Sequence, residues 1–344
     1  MHYLLNHCKW IKNEIRGQFL LRGILVLMPF AFLFLLSGNI YWLESSLITM
    51  STLIAEEKLK LGFLGILLHG TAIIILFNLL FLTQVHPFFF VLVCTISATG
   101  IIWISTFGEQ LRNLGSWTFI PAIILSLERA PIANISLLDQ CLILLPFLII
   151  AILPTIFLCL FEYIKAKKNG LDLKWFQLSY LSDFGKKNKN YDSLLAMAIG
   201  IALSSTFVEY IQMENGQWMI WGVASVITGN IQTSPKKFYE RLFGVSIGVP
   251  MGILMGNYVM PSTELDLTIA TMGIFLTLVA FRRYIIAYTF RCFFVALAVI
   301  LVTHSKIIAF ERLTHVILGG VLGIICVLLS RRFVDYIFNK NENL

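Results

Sequence analysis

The 344-residue sequence is poor in charge: Asp, Glu, Lys and Arg together make up 13% of it, against about 25% in a typical soluble protein. Hydrophobic residues make up 58%, and the mean hydropathy is +0.83. So few charges cannot cover the surface of a water-soluble globule of this size, whereas lipid solvates apolar helix faces directly. The composition therefore predicts an all-α integral membrane protein.

Several kinds of chemical site are also missing. The six cysteines show no CxxC spacing and five lie in apolar runs, so the sequence predicts neither a disulfide framework nor a metal site. No P-loop, HExxH, GxSxG or GxGxxG motif is present, and no histidine pairs with a carboxylate at catalytic spacing. We therefore predict a protein that is not an enzyme, binds no cofactor and does not use ATP directly.

Twelve apolar runs are candidates for membrane spans of about 20 residues. They cover 20–37, 41–55, 61–82, 87–105, 114–127 and 137–160, and then 192–211, 217–230, 240–259, 265–281, 284–303 and 311–330. The runs at 41–55, 114–127 and 217–230 are short, and each could be tilted, broken or partly re-entrant.

The distribution of positive charge supports twelve spans with both termini in the cytoplasm. With that topology, 22 of the 26 Lys and Arg residues, Lys9 and Lys12 among them, fall in cytoplasmic segments. Only Arg129, Lys306 and Arg312 fall in periplasmic loops. This asymmetry follows the rule that keeps Lys and Arg on the cytoplasmic side. It also explains the net charge of +7 without a nucleic-acid partner, and it predicts a bacterial inner-membrane protein.

The polar segment 161–190, with its AKKNG and GKKNKN stretches, divides the chain into two halves of six spans, 1–160 and 191–344. We interpret it as a basic cytoplasmic linker that lies against anionic lipid headgroups. Six spans in each half leave both halves with the same orientation, which is the parallel-repeat arrangement. Tyr41-Trp42 opens the second span as Gln217-Trp218 opens the eighth, which supports the duplication.

The most regular local pattern is a stripe of four glycines, each four residues from the next. Arg241 precedes Gly244, Gly248, Gly252 and Gly256. Such a stripe is a bare helix surface that lets another backbone approach closely, and we interpret the glycines as a helix-packing motif. Arg241 itself lies at the predicted cytoplasmic mouth, where a lipid-phosphate anchor and a functional role are both open.

Three stretches of the second half carry a family resemblance. They are Trp218 with Val226-Ile-Thr-Gly, the Arg-x-x-Gly-x-x-x-Gly pattern that starts at Arg241, and Glu311-Arg312-Leu-Thr-His-Val-Ile-Leu-Gly319-Gly320. Over roughly 192–335 the chain resembles the FUSC superfamily of fusaric acid resistance proteins and aromatic acid exporters, and more distantly plant malate channels. Many such exporters carry a large cytoplasmic domain between their halves, where this chain has only its short linker. The resemblance implies export of organic anions, and a periplasmic adaptor subunit as partner.

Arg291 is the strongest single candidate for a binding residue. It lies about eight residues into the run 284–303, or ~12 Å along a helix, which is close to the bilayer midplane. Burying it there costs at least ~2.5–3.5 kcal/mol, so a compensating group is required. A structural counter-ion, a cage of carbonyl groups or the carboxylate of an anionic substrate would each satisfy it.

The other candidates are polar or aromatic residues in or near spans. Trp42 and Trp218 are predicted to frame the outer vestibule and to contact substrate. Five titratable residues are candidates for proton coupling, each with a structural alternative such as snorkelling or core packing: Glu44, Asp139, Glu209, His69 and His315.

The function that these features predict is proton-driven export of small organic anions, above all aromatic carboxylates. The expected partners are membrane lipids, the anion and an adaptor, and a homo-oligomer is compatible with the sequence. Two alternatives stay open: a passive organic-anion channel of the same fold, and a non-transporting membrane scaffold that holds partner proteins.

Overall fold

The computed structural model describes residues 14–128, 135–170, 174–187, 191–227 and 231–342, without the side chains of 231 and 337–342. This part of the chain contains twelve α-helices and no β-strand. In order, α1 to α6 are Gly17–Ser37, Tyr41–Leu59, Phe63–Thr83, Pro87–Ser105, Leu111–Glu128 and Leu137–Lys168, and α7 to α12 are Tyr191–Ile211, Gln217–Val226, Ser234–Tyr258, Glu264–Ala280, Tyr284–Thr303 and Lys306–Glu342. The sixth helix is interrupted after Ile150 and resumes at Leu153.

The helices follow the predicted apolar runs in order, so the all-α prediction is confirmed for the described residues. Seven of these helices are long and apolar enough to cross a membrane: α1, α3, α4, α6, α7, α11 and α12. The short runs at 41–55, 114–127 and 217–230 form α2, α5 and α8, which are not among the seven. The structure thus supports a multi-pass membrane protein, while twelve spans in two repeats stay a prediction.

Local sequence signals set several helix boundaries. Pro87 stands at the first turn of α4, where its missing N–H costs no hydrogen bond. The α10 helix begins with a capping box, in which Thr263 and Asp266 each accept a hydrogen bond from the other's backbone N–H. Gly38 ends α1 in the left-handed region, with φ of 66°.

The described helices divide between two compact units. Unit one comprises Met1–Met50 and Tyr239–Thr314, and therefore contains α1, most of α9, all of α10 and α11, and the beginnings of α2 and α12. Within it, α10 packs against α1 and α11. The chain just before α1 is fixed to the α10–α11 turn, because Glu14 forms an ion pair of 3.2 Å with Arg283 and its carbonyl accepts a hydrogen bond from the Arg282 N–H.

Unit two comprises Ser51–Phe238 and His315–Leu344. Its main helix contacts are those of α4 with α7 and of α3 and α4 with α5. Each unit takes helices from both sequence halves, and the division of the chain at 161–190 stays a prediction about sequence.

Residues 161–168 of the predicted linker belong to α6, whereas residues 174–187 pack against helices of unit two, and we call residues 174–187 the linker strap. Its backbone hydrogen bonds are Gly62 N–H to Leu178 O at 3.1 Å, Tyr180 N–H to Lys60 O at 2.9 Å, and Gln110 N–H to Phe184 O at 3.0 Å. Trp175 stacks on Phe63 with ring centroids 5.1 Å apart. Burial raises the pKa of Tyr180, so its hydroxyl stays protonated and donates to the Lys174 carbonyl at 3.2 Å. The strap's described lysines remain exposed, as contact with lipid headgroups requires.

Candidate anion site

Three polar side chains share one face of α11. Tyr284, Tyr288 and Arg291 are spaced at i, i+4 and i+7, which places them one above another on a helix. Tyr288 is 0% exposed and Arg291 is 6% exposed. Arg291 lies seven residues after the first residue of α11, about 10 Å along the helix axis. The charge is therefore buried about two turns into an apolar helix, while its depth in the bilayer stays a prediction.

Arginines from two helices meet at the ring of Tyr288. The guanidinium carbon of Arg241, on α9, lies 4.6 Å from the ring centroid, and that of Arg291 lies 6.0 Å from it. Both distances are in the cation–π range. Arg241 also donates from Nη1 to the Tyr284 hydroxyl at 3.4 Å, and Arg291 from Nε to the hydroxyl of Thr277, on α10, at 3.4 Å. Helices α9, α10 and α11 together hold the two charges in place.

A third arginine belongs to the same group. Arg312, on α12, is 2% exposed and is close enough to Tyr288 to interact with it electrostatically. The Tyr288 hydroxyl is buried and makes no hydrogen bond to any residue that the structure describes. We call Arg241, Arg291, Arg312, Tyr284 and Tyr288 the arginine–tyrosine cluster. All five lie in unit one.

The glycine stripe of α9 makes this arrangement possible. A Cβ atom added at any glycine of the stripe would be too close to a residue of α11. The distances are 2.6 Å from Gly244 to Tyr288, 2.8 Å from Gly248 to Cys292, 2.9 Å from Gly252 to Ala296 and 2.7 Å from Gly256 to Ile300. In all four pairs the two residues are 44 positions apart in the sequence. Because this separation is constant, α9 and α11 run parallel and in register over about 18 Å. Arg241 is one turn before Gly244, which brings its guanidinium to the Tyr288 ring.

The cluster has the chemistry of an anion-binding site. A guanidinium presents paired N–H donors that match the two oxygens of a carboxylate, and several positive charges in a low-dielectric region attract an anion strongly. The Tyr288 hydroxyl supplies one further donor. Because the cluster is built from packed helices, its geometry is fixed before any ligand arrives, which reduces the entropy lost on binding.

The remaining candidates lie at other positions on the described helices. Trp42 packs near Phe30 in unit one, with ring centroids 6.4 Å apart, and half-buried Glu44 lies in the first turn of α2. In unit two, Trp218 is 6.2 Å from the His315 ring, and His69 is buried on α3. Glu209 is near the end of α7. Thr228 of the quoted motif, Lys9, Lys12 and Arg129 lie outside the described residues.

Asp139 has a clear structural role at the start of α6. Its N–H donates to the Ser136 hydroxyl at 3.1 Å, and its carboxylate accepts from that hydroxyl at 2.6 Å. We expect Asp139→Asn to lower helix stability by no more than about 1 kcal/mol, the usual value of an N-cap, and to leave the proton dependence of transport unchanged. Transport assays with and without a protonophore check this, and loss of the proton dependence in Asp139→Asn would instead make Asp139 a coupling residue.

Sequence reasoning missed two central members of the cluster. The charge count places Arg312 with the periplasmic loops, since it is only the second residue of the run 311–330, whereas α12 already begins at Lys306 and has Arg312 in its second turn. Its position beside Glu311 in the family-like motif was the available signal. Tyr288 precedes Arg291 by three residues, a helical spacing that marked it as a neighbour. The contact between Tyr288 and Arg241 depends on the register in which α9 and α11 pack. That register cannot be read from a single sequence.

The long apolar helices and the buried cluster define the class of this protein, a multi-pass α-helical membrane protein. Residues 201–326 match the family model described as fusaric acid resistance protein-like. Over these residues the match confirms the resemblance to the FUSC superfamily that Trp218, the Arg241 pattern and the Glu311–Gly320 stretch predict. The matched residues include the whole arginine–tyrosine cluster. No curated protein and no solved structure matches the chain.

Proposed function

We propose that this protein is an inner-membrane efflux transporter for small organic anions, above all aromatic carboxylates, driven by the proton gradient. The observation that carries the proposal is the arginine–tyrosine cluster, in which Arg241 and Arg291 meet at the ring of buried Tyr288. The match of residues 201–326 to the fusaric acid resistance protein-like family agrees with it. The full architecture that we propose has twelve spans in two parallel repeats, with both termini in the cytoplasm.

In the proposed mechanism, Arg291 neutralises the substrate carboxylate inside the membrane. Arg241 and Arg312 add positive potential, and the Tyr288 hydroxyl donates a hydrogen bond to the bound anion. Glu44 is the first candidate for proton coupling, because it lies in unit one with the cluster and is half-buried. A carboxyl group at that depth can take up a proton as the anion leaves. Trp42 and Trp218 stay candidates for substrate contacts, and an adaptor subunit, a homo-oligomer and membrane lipids stay proposed partners.

Accumulation assays in an exporter-depleted bacterium test the proposal. Cells that carry the protein and cells with empty vector are challenged with a panel of aromatic and aliphatic carboxylates, and the intracellular acid is measured. We expect at least one aromatic acid to accumulate several-fold less with the protein, and a protonophore to remove the difference. Equal accumulation for every acid, with the protein shown to be in the membrane, would contradict export.

Two further measurements separate the alternatives. A passive channel gives currents in planar bilayers that follow the Nernst potential of the anion and do not depend on a pH gradient. A scaffold keeps its full effect in Arg291→Ala and loses it when residues 161–190 are deleted. The buried arginines favour either form of transport over a scaffold, because a binding surface for partner proteins needs no charge inside the membrane.

A further inference from the structure

Unit two contains a cavity of about 510 Å³ between α3, α4, α5 and the linker strap. Its walls are mainly aliphatic and aromatic, with Ala72, Gly100, Ile101, Leu114 and Phe119 among the lining residues. The volume lies within the range of about 300–1,000 Å³ that is usual for small-molecule sites, which are also mostly apolar with a few polar groups.

The imidazole of His69 lines this cavity and is 4% exposed. The backbone of Leu114 and Trp117 lies near the ring, yet neither ring nitrogen makes a hydrogen bond of normal geometry to any residue in the described part of the chain. A buried polar group without a hydrogen bond is unfavourable. A ligand that brings one hydrogen-bonding group to His69 therefore binds more tightly than its purely apolar counterpart.

The hydroxyl groups of the wall already donate hydrogen bonds within the protein. Ser97 donates to the Val93 carbonyl at 2.7 Å, Thr118 to the Leu114 carbonyl at 2.8 Å, and Ser179 to the Leu59 carbonyl at 2.6 Å. Among the described residues that line the cavity there is no Lys, Arg, Asp or Glu. The site thus offers one unsatisfied imidazole in apolar surroundings, and no positive charge to bind a carboxylate.

The linker strap forms one wall, through Leu178, Ser179 and Phe184. It approaches the helix ends so closely that a Cβ atom added at Gly108 would lie 2.6 Å from the Cβ of Phe184. Leu68 and Leu178 are 57% and 59% exposed at the rim, so the entrance is apolar as well. An apolar molecule therefore meets apolar side chains at this part of the rim.

We propose that this cavity is a binding site for a neutral apolar molecule with a single hydroxyl group, of the phenol or aromatic-alcohol class, which hydrogen-bonds to His69. The ring of the ligand packs against the aliphatic wall and Phe119. The proposal goes beyond organic-anion export, because it concerns an uncharged ligand and residues outside the arginine–tyrosine cluster.

Equilibrium binding of radiolabelled 1-naphthol to the full-length protein in nanodiscs tests this site, with empty nanodiscs to subtract partitioning into lipid. We expect saturable binding of one naphthol per chain. Naphthalene, which lacks the hydroxyl, is expected to compete about tenfold more weakly. 1-Naphthoate is expected not to compete, because the cavity has no cation.

Three variants identify the site. His69→Phe keeps the ring volume and removes the hydrogen bond, so the affinity falls about tenfold, whereas His69→Gln keeps a donor and an acceptor and retains more of it. Gly100 lines the cavity, and a Cβ atom there meets nothing within 4 Å, so we expect Gly100→Leu to occupy the cavity and to abolish binding. Gly17→Leu is the control, because a Cβ atom there also meets nothing within 4 Å, and it should leave binding unchanged. The proposal would be overturned if nanodiscs with the protein bind no more naphthol than empty nanodiscs. Full binding by Gly100→Leu would also overturn it, and so would competition by 1-naphthoate as strong as that by unlabelled 1-naphthol.

Discussion

Cells that carry Arg291→Gln are expected to accumulate the exported carboxylate to the same level as cells with empty vector. Glutamine preserves most of the side-chain length and some hydrogen bonding but removes the charge. A hydrogen bond to a charged group is worth about 1.5–3 kcal/mol, which corresponds to a loss of roughly 10- to 150-fold in anion affinity. Intracellular acid in the responsive member of the carboxylate panel is the measurement.

Graded substitutions distinguish an anion site from a merely structural arginine. Arg291→Lys keeps the charge but loses the planar paired donors, so we expect an intermediate effect. Tyr288→Phe removes a hydroxyl that has no hydrogen-bond partner among the described residues, and it should weaken export about tenfold without lowering the unfolding temperature. Arg331→Gln is the matched control, because its side chain is 60% exposed and its ion pair with Asp335 is long, at 3.9 Å.

Wild-type export by Arg291→Gln would place the substrate elsewhere. If Arg291→Gln lowers the amount of membrane-inserted protein, its loss of export is a folding effect. Export by Tyr288→Phe then shows whether the cluster binds the anion. If Tyr288→Phe also exports like the wild type, the cluster is a structural element and not an anion site. Normal export by both Arg291→Lys and Arg291→Gln would lead to the same conclusion.

The fold was predictable because helix formation in a membrane depends on long apolar runs, which composition shows directly. Even so, the start of α12 was missed by five residues. Lys306 and Glu311 lower the hydropathy of its first turns, while the backbone is helical from Lys306 onward. Arg312, which the charge count places in a periplasmic loop, therefore lies in the second turn of α12 and is buried at 2% exposure.

The site was predictable only in part, for a different reason. The depth of Arg291 follows from its position in one apolar run, whereas the cluster needs the pairing of two helices about 44 residues apart in sequence. The packing of the linker strap was missed because the AKKNG and GKKNKN stretches of residues 161–190 suggest a segment that is only basic and polar. Its contacts come from Trp175 and Phe184, and from backbone hydrogen bonds that any residue type can make.

The glycine stripe gives the second large expected effect, because it fixes the pairing of α9 and α11. A Cβ atom at Gly248 would meet the Thr289 carbonyl oxygen, which belongs to the backbone and cannot rotate away, as well as Cys292. We expect Gly248→Leu to force the helices apart and to abolish export. Gly248→Ala should lower the unfolding temperature by roughly 1–4 °C, since overpacking costs about 1–3 kcal/mol and the shift per kcal/mol is small in a chain of this length.

A graded comparison along α9 shows whether close approach is the cause. At Gly256 the nearest atom is Cγ2 of the Ile300 side chain and not a backbone atom, so Gly256→Ala should cost less stability than Gly248→Ala. Gly17→Leu on α1, where a Cβ atom meets nothing within 4 Å, controls for the added apolar volume. Thermal unfolding in detergent measures all four variants. Equal unfolding temperatures for Gly248→Ala and Gly256→Ala would mean that α9 and α11 are not in backbone contact. In that case α9 and α11 do not approach closely enough to bring Arg241 to the Tyr288 ring. The structural basis of the cluster would then be wrong.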